Sequence, residues 1–185
     1  MPSLETFPDL ETPRLRLREI VLSDGAAYLA IFGNAEHMHL FGVDPVPDLG
    51  AAENLITAFA GSHVRENPHL RWGIESKTQP GLMGSCGLFA WNKKWNKCSV
   101  GFALAAELQG NGYINEALSA VLSWGFAFLG LNRIDAQVHV NNSRSLRVLD
   151  RLKFVNEGRL RQFCFWDGQY HDMFQYSLLR ADWVP

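Results

Sequence analysis

Three cysteines in 185 residues, Cys86, Cys98 and Cys164, are too few and too far apart to build a framework. Their number is odd, and no Cys-x-x-Cys or Cys/His pair has zinc-ligand spacing. Neither a disulfide scaffold nor a metal site is therefore expected. Charge of one sign is missing too: 17 Lys and Arg stand against 19 Asp and Glu, a formal net of −2. That balance gives no global pull toward nucleic acid or an anionic membrane. No apolar run approaches the ~20 residues that cross a bilayer. The opening MPSLETFPDLE lacks the basic start and apolar run of a signal peptide. Low-complexity tracts, internal repeats and linkers are also missing, so residues 1–185 are expected to form one cytoplasmic domain. Neither nucleic acid nor membrane is an expected partner.

What is present is apolar periodicity of two kinds. Residues 1–11 read as a loose arm, and residues 14–20 (RLRLREI) alternate with the period of a half-buried strand. Ser23-Asp24 offers an N-cap to a short helix over 26–32. Residues 42–50, rich in Gly and Pro, read as a loop. A second helix follows over 51–64, with a stripe through Leu55, Ile56, Phe59 and Ala60. Strands are expected over 70–75 and 82–90 about a turn at 76–81, and over 97–104. The run 113–129, apolar almost all round, predicts a buried helix. A strand over 133–141, a helix over 143–152 and two strands across 154–179 about Asp167-Gly168 complete an α/β chain. The strand–helix–strand unit over 97–140 predicts a parallel, right-handed crossover.

Chemistry enters at Gln109-Gly110-Asn111-Gly112-Tyr113, a glycine turn leading from a strand into a helix. The first N–H groups of a helix have no internal partner and sit at the positive end of its dipole. Glycine lets such a backbone approach phosphate oxygens without an intervening Cβ. A dinucleotide Gly-x-Gly-x-x-Gly would need glycine where Asn115 stands, and a Walker loop would need Gly-Lys-Ser/Thr, which is absent. The turn suits an anion, or is a plain tight connection.

Val100-Gly101-Phe102-Ala103-Leu104 with Gln109 to Ala117 resembles the CoA-binding motif of the GNAT superfamily, in its RimJ/RimL-type branch. That motif is Gln/Arg-x-x-Gly-x-Gly/Ala; Gln109 and Gly112 fit it, and Ile114 departs from its last, small position. Asn142-Ser143-Arg144-Ser145 … Leu152-Lys153-Phe154 resembles the branch's Asn-x-x-Ser … Leu-Gly-Phe stretch, with Lys153 in place of glycine. Asp167 to Asp172 resembles its closing hairpin, and Pro13-Arg14-Leu15 its opening strand. The similarity runs colinearly along nearly the whole chain. It implies a mixed, mostly antiparallel central sheet flanked by helices, the GNAT-like acyl-CoA N-acyltransferase fold.

The resemblance further implies acetyl-CoA as co-substrate and an amine that attacks the thioester directly. Backbone groups of Ala103 and Leu104 would hold the pantetheine arm. Gln109, Gly110, Asn111, Gly112, Tyr113 and Ile114 would hold the diphosphate, and Asn142 would reach the arm from the far side. Many relatives place a Tyr acid where Leu149 stands. In this branch the Ser at position 145 is the donor, so Ser145 is the candidate acid, or else a helix-start hydroxyl bonded to backbone. The branch's glutamate falls at Ser99, leaving His139 as candidate base, or else a satisfied structural histidine. Glu75, Glu107 and Glu116 are weaker options. Phe41, Trp91, Trp95 and Trp166 are candidates for lining an acceptor pocket.

At neutral pH, deprotonating an α-amine of pKa ~7.8 costs about 1 kcal/mol, and a lysine of pKa ~10.4 about 4.6. The expected acceptor is accordingly a protein or peptide N-terminus, as in ribosomal-protein acetylation. A small-molecule amine, or a non-catalytic acyl-CoA sensor, is the alternative. A homodimer is the family-level expectation for assembly.

Overall fold

The computed structural model describes residues 5–64 and 68–184. Residues 1–4 of the expected arm lie outside that set. Its remainder contains β1 (Leu10–Glu11), paired antiparallel with β2 (Leu15–Glu19). In β2, Leu15 and Leu17 are fully buried and Arg16 points the other way, as a period of two requires.

The next segment departs from expectation. Residues 22–24 form a 3-10 turn and α1 runs Gly25–Phe32, but Asp24 does not cap α1 with its side chain. Its carboxylate accepts from Arg18 Nη1 (2.7 Å), Arg18 Nη2 (2.9 Å) and the Val21 N–H (2.9 Å). A two-pronged contact between two opposite charges outcompetes a single bond to an uncharged helix N–H. A one-turn helix, α2 (Ala35–Met38), follows where no element was expected. The loop expected over 42–50 is shorter than that, because α3 begins at Leu49 and runs Leu49–Phe59. Asp48 caps it, accepting from the Ala51 N–H (2.8 Å). Its buried seam is Ala52 and Ile56, one turn apart, while Leu55 is exposed.

The remaining elements are β3 (Leu70–Ser76), β4 (Leu82–Asn92), β5 (Lys97–Leu104), α4 (Tyr113–Phe128), β6 (Arg133–His139), α5 (Ser143–Arg151), β7 (Val155–Trp166) and β8 (Gln169–Leu179). They form one eight-stranded sheet, ordered β1-β2-β3-β4-β5-β6-β8-β7. Every adjacent pair is antiparallel except β5 and β6, the expected parallel unit. Asp167 (φ 49°) and Gly168 (φ 68°) make the β7–β8 turn, both left-handed as a two-residue hairpin of the primed type demands. α4 is less enclosed than its composition suggested: Ala117, Leu118, Val121, Leu122 and Phe126 are buried and Phe128 is exposed.

Alternate residues of the strands feed two cores on opposite faces of the sheet. One packs Leu17, Trp72 and Ile134 against α4 and α5. The other packs Ile20, Leu82 and Ala103 against Tyr28, Phe32, Ala52 and Ile56 of α1 and α3. Between the layers the sheet opens. β5 and β6 pair only from Lys97↔Arg133 to Ser99↔Asp135, and no ladder joins them from Val100 onward.

Candidate active site

That opening leads into a cavity of about 830 Å³, walled by β5, the turn before α4, the start of α5 and the segment around α2. Gly112 is the residue before α4, held at φ +78°, and no side chain caps the helix. The first backbone N–H groups of α4 are thus left without an intrahelical partner at the cavity wall. Gly110 (φ +85°), Gly112, Tyr113 and Ile114 all line the cavity, as do Ala103 and Leu104.

Two of the residues expected here serve as struts. Gln109 donates from Nε2 to the Leu104 carbonyl (3.1 Å) and accepts from Arg144 Nη1 (2.9 Å), tying β5 to α5 across the turn. Asn111 turns its amide back on the Leu108 carbonyl (3.1 Å) and is not among the lining residues. Its own carbonyl accepts from Arg14 Nη1 (3.1 Å). Arg14 also stacks over Tyr113 (4.6 Å) and pairs with Glu116 (2.6 Å). Burial works to raise the Glu116 carboxyl, but Thr12 and the Arg14 backbone and guanidinium hold it below the ordinary carboxylate range. Glu116 is therefore a paired anion that fixes the turn from behind.

The far wall is the start of α5. Asn142 caps it, accepting from the Ser145 N–H (3.1 Å) and donating from Nδ2 to the Leu40 carbonyl (3.3 Å). Ser145 lines the cavity, and its Oγ makes no hydrogen bond among the described residues. Its backbone N–H, and not its hydroxyl, joins the cap. Arg144, Arg147 and Arg151 line the same wall and enter no ion pair among the described residues. Sequence reasoning passed over them, although their spacing at i, i+3 and i+7 marks one helix face. Among the described residues, Glu36 is the one carboxylate that lines the cavity.

Two histidines near the site fall differently. His139, the expected base, is 7% exposed and is not among the lining residues. Its Nδ1 accepts from the Asn141 N–H (3.2 Å), and its ring meets His171 and Trp166 edge-on. Burial, then His171 and His39, push it below the ordinary imidazole range. His39, at the end of α2, reaches the cavity instead. Leu149 is fully buried and Ser99 lies in the β5–β6 ladder, so neither fills the acid or base position of relatives. Phe41 lines the cavity; Trp91, Trp95 and Trp166 do not. Cys86 and Cys98 are buried, with thiols pushed up to about 12 by burial, and burial raises Cys164 as well, which makes each a poor nucleophile. Among the described residues no group of His, Cys, Asp and Glu is arranged to hold a metal ion, and no helix is long and apolar enough to cross a membrane.

A mixed sheet that parts at its one parallel strand pair, with a glycine turn and a helix start at the opening, defines a GNAT-type acyltransferase fold. Residues 14–155 match the acetyltransferase (GNAT) domain, and the chain belongs to that family of acetyl-CoA-using N-acetyltransferases. It is 36% identical to the uncharacterized N-acetyltransferase YoaA of Bacillus subtilis (strain 168), over 94% of this chain and 98% of that one. It is 32% identical to the [ribosomal protein uS5]-alanine N-acetyltransferase of Escherichia coli (strain K12), over 49% of this chain and 47% of that one. The fold also superposes on a crystal structure of spermidine N-acetyltransferase from Vibrio cholerae in complex with CoA and spermine. That superposition has a TM-score of 0.80 at 23% identity, covering 92% and 98% of the two chains.

Proposed function

We propose that the cavity holds acetyl-CoA with its diphosphate at residues 109–114 and its thioester arm along Ala103 and Leu104, and that the acceptor is the α-amine of a protein or peptide N-terminus. The observation that carries the donor half is the convergence on one cavity of the uncapped α4 start and three arginines without carboxylate partners. Helix-end electrostatics contribute about 0.3–2 kcal/mol per charge, so a diphosphate needs both sources. The unpaired edge of β5 beyond Ser99 offers main-chain groups to the amides of the arm, as a strand would. Asn142, with both amide groups engaged, orders the wall at Ser145, whose hydroxyl would protonate the leaving thiolate.

The acceptor half rests on charge. A polyamine carries several ammonium groups and calls for several carboxylates, whereas Glu36 is the one carboxylate on the walls among the described residues. A single α-amine asks for less, and its deprotonation at neutral pH is the cheaper one. The test is thiol release from acetyl-CoA with a panel of short peptides bearing free N-termini, set against spermidine and free lysine. Peptides with an N-terminal alanine or serine are expected to turn over at least tenfold faster, as kcat/KM, than spermidine. Turnover of spermidine or lysine side chains with untouched peptide N-termini would refute the α-amine reading.

A further inference from the structure

The family's base position is Ser99, which lies in the ladder, and His139 is buried behind the cavity, so a group able to take a proton from the acceptor must stand elsewhere on the walls. His39 lines the cavity at the end of α2. Its Nδ1 stands 2.5 Å from the Glu36 carbonyl oxygen. A carbonyl can only accept, so Nδ1 carries the proton and Nε2 carries the lone pair. Nε2 makes no hydrogen bond among the described residues. The tautomer of a free base is thus set by the backbone of its own helical turn.

The main chain fixes where this ring stands. The His39 carbonyl accepts from Trp166 Nε1 (3.0 Å), which pins the end of α2 to the β7–β8 hairpin. The adjoining Leu40 carbonyl accepts from Asn142 Nδ2, and the other end of that amide accepts from the Ser145 N–H. One asparagine side chain therefore spans the two walls, with His39 beside one end and Ser145 at the other. Both line one cavity.

We propose that His39 is the general base of the transfer, acting through Nε2 on the acceptor amine; this rests on the acetyl-CoA reading above. An incoming ammonium gives one proton to Nε2, leaving a neutral amine and an imidazolium. The amine nitrogen bonds to the thioester carbonyl carbon, the carbon–sulfur bond breaks, and a second proton of that nitrogen ends on the CoA sulfur, with Ser145 placed to pass it. The imidazolium returns its proton to solvent, so the products are an amide, a thiol and one released proton. The charged and titratable groups that share the cavity with the ring are Glu36 on α2 and Arg144, Arg147 and Arg151 on α5, and the ring also acts electrostatically on His139 of β6.

The test compares wild type, His39→Gln, His39→Ala and His139→Gln, using acetyl-CoA and the best α-amine peptide from the panel. His39 is exposed and its backbone contact to Trp166 survives substitution, so the His39 variants are expected to fold. Both should lose about 100-fold or more in kcat at pH 7. They should also alter the pH profile of the rate while binding CoA as wild type does. Added imidazole should restore part of the rate to His39→Ala, and His139→Gln should keep most of the wild-type rate. An unchanged pH profile in His39→Gln, or a rate loss fully matched by lost CoA affinity, would overturn the assignment. Failure of the parent reading shows separately, as no thiol release by wild type with any α-amine, and takes this assignment with it.

Discussion

At the scale of single residues, Gly112 and His69 make opposite kinds of demand. Gly112 stands at φ +78°, where an L side chain is strained, and its missing Cβ would lie 3.6 Å from Arg14 Nη2. Gly112→Asp adds a carboxylate at the α4 start, where the diphosphate is proposed to sit. The expected loss of stability is about 1–2 kcal/mol from backbone strain, with CoA binding abolished. Calorimetric titration with CoA on folded variant checks this, and undiminished affinity would move the diphosphate elsewhere. His69 concerns stability alone. It packs against Phe59 and Phe89 with Nε2 buried and without a partner among the described residues, and burial, then Arg71, push its pKa to about 4. The unfolded chain takes up that proton near pH 6.5, so the folded state loses ground as pH falls from there toward 4. Between pH 8 and pH 5 this single group accounts for about 2 kcal/mol. Urea unfolding at the two pH values should show a smaller difference in His69→Phe than in wild type. Equal differences in the two proteins would show that His69 does not carry the effect.

Elements explain what the sequence made legible and what it hid. The β5–turn–α4 unit was readable because glycine at 110 and 112 has one physical use there, a left-handed backbone before a helix. The β7–β8 hairpin was readable from Asp167-Gly168 for the same reason. Asp24 misled because capping and ion pairing use the same side chain, and the distant Arg18 decides between them. α2 was invisible: four residues, AEHM, carry no period, yet they deliver His39 and Glu36 to the cavity. His139 looked available on the polar face of its strand, but the hairpin's Trp166 and His171 cover it, a contact between residues far apart in sequence. The basic face of α5 was readable and overlooked. Leu149 and Leu152 bury one side of that helix while Arg144, Arg147 and Arg151 stand on the cavity side. Arg147→Glu with Arg151→Glu should weaken CoA binding at least tenfold at low salt and flatten its salt dependence, since two exchanges of sign remove attraction and add repulsion. Unaltered CoA affinity at low ionic strength, about 0.01 M, would show that this face does not meet the co-substrate.

The whole molecule joins two cores through one sheet, and the cavity takes walls from both. α4 and α5 belong to the larger core, whereas the segment carrying Asn34, His39 and Phe41 follows α1, which packs in the smaller one. The hold of the sheet on that smaller layer includes the Arg18–Asp24–Glu75 triad, whose side chains are 15%, 9% and 18% exposed. Arg18 lies on β2 and Asp24 immediately precedes α1, so the pair anchors the layer where it leaves the sheet. Burial favours protonation of Asp24, but the Arg18 guanidinium and the Val21 N–H outweigh it and hold the carboxyl below its ordinary range. A depressed carboxylate stabilises the fold above the unfolded pKa near 4 and loses that contribution as pH falls through the folded value. Asp24→Asn keeps the shape, removes the charge and leaves Arg18 with Glu75 as its carboxylate partner. The expected cost at pH 7 is about 1.5–3 kcal/mol, a fall in Tm of roughly 3–12 °C for a chain of this size. Because a protonated Asp24 carboxyl and the substituted amide are both neutral, the gap between the two proteins should close as pH drops below about 4. Calorimetry at neutral pH and at two acidic values reads both numbers, with hydrogen exchange in α1 and α3 expected to quicken first in the variant. A gap that stays constant down to about pH 3, below the ordinary aspartate range, would mean that shape, and not charge, fastens this layer to the sheet.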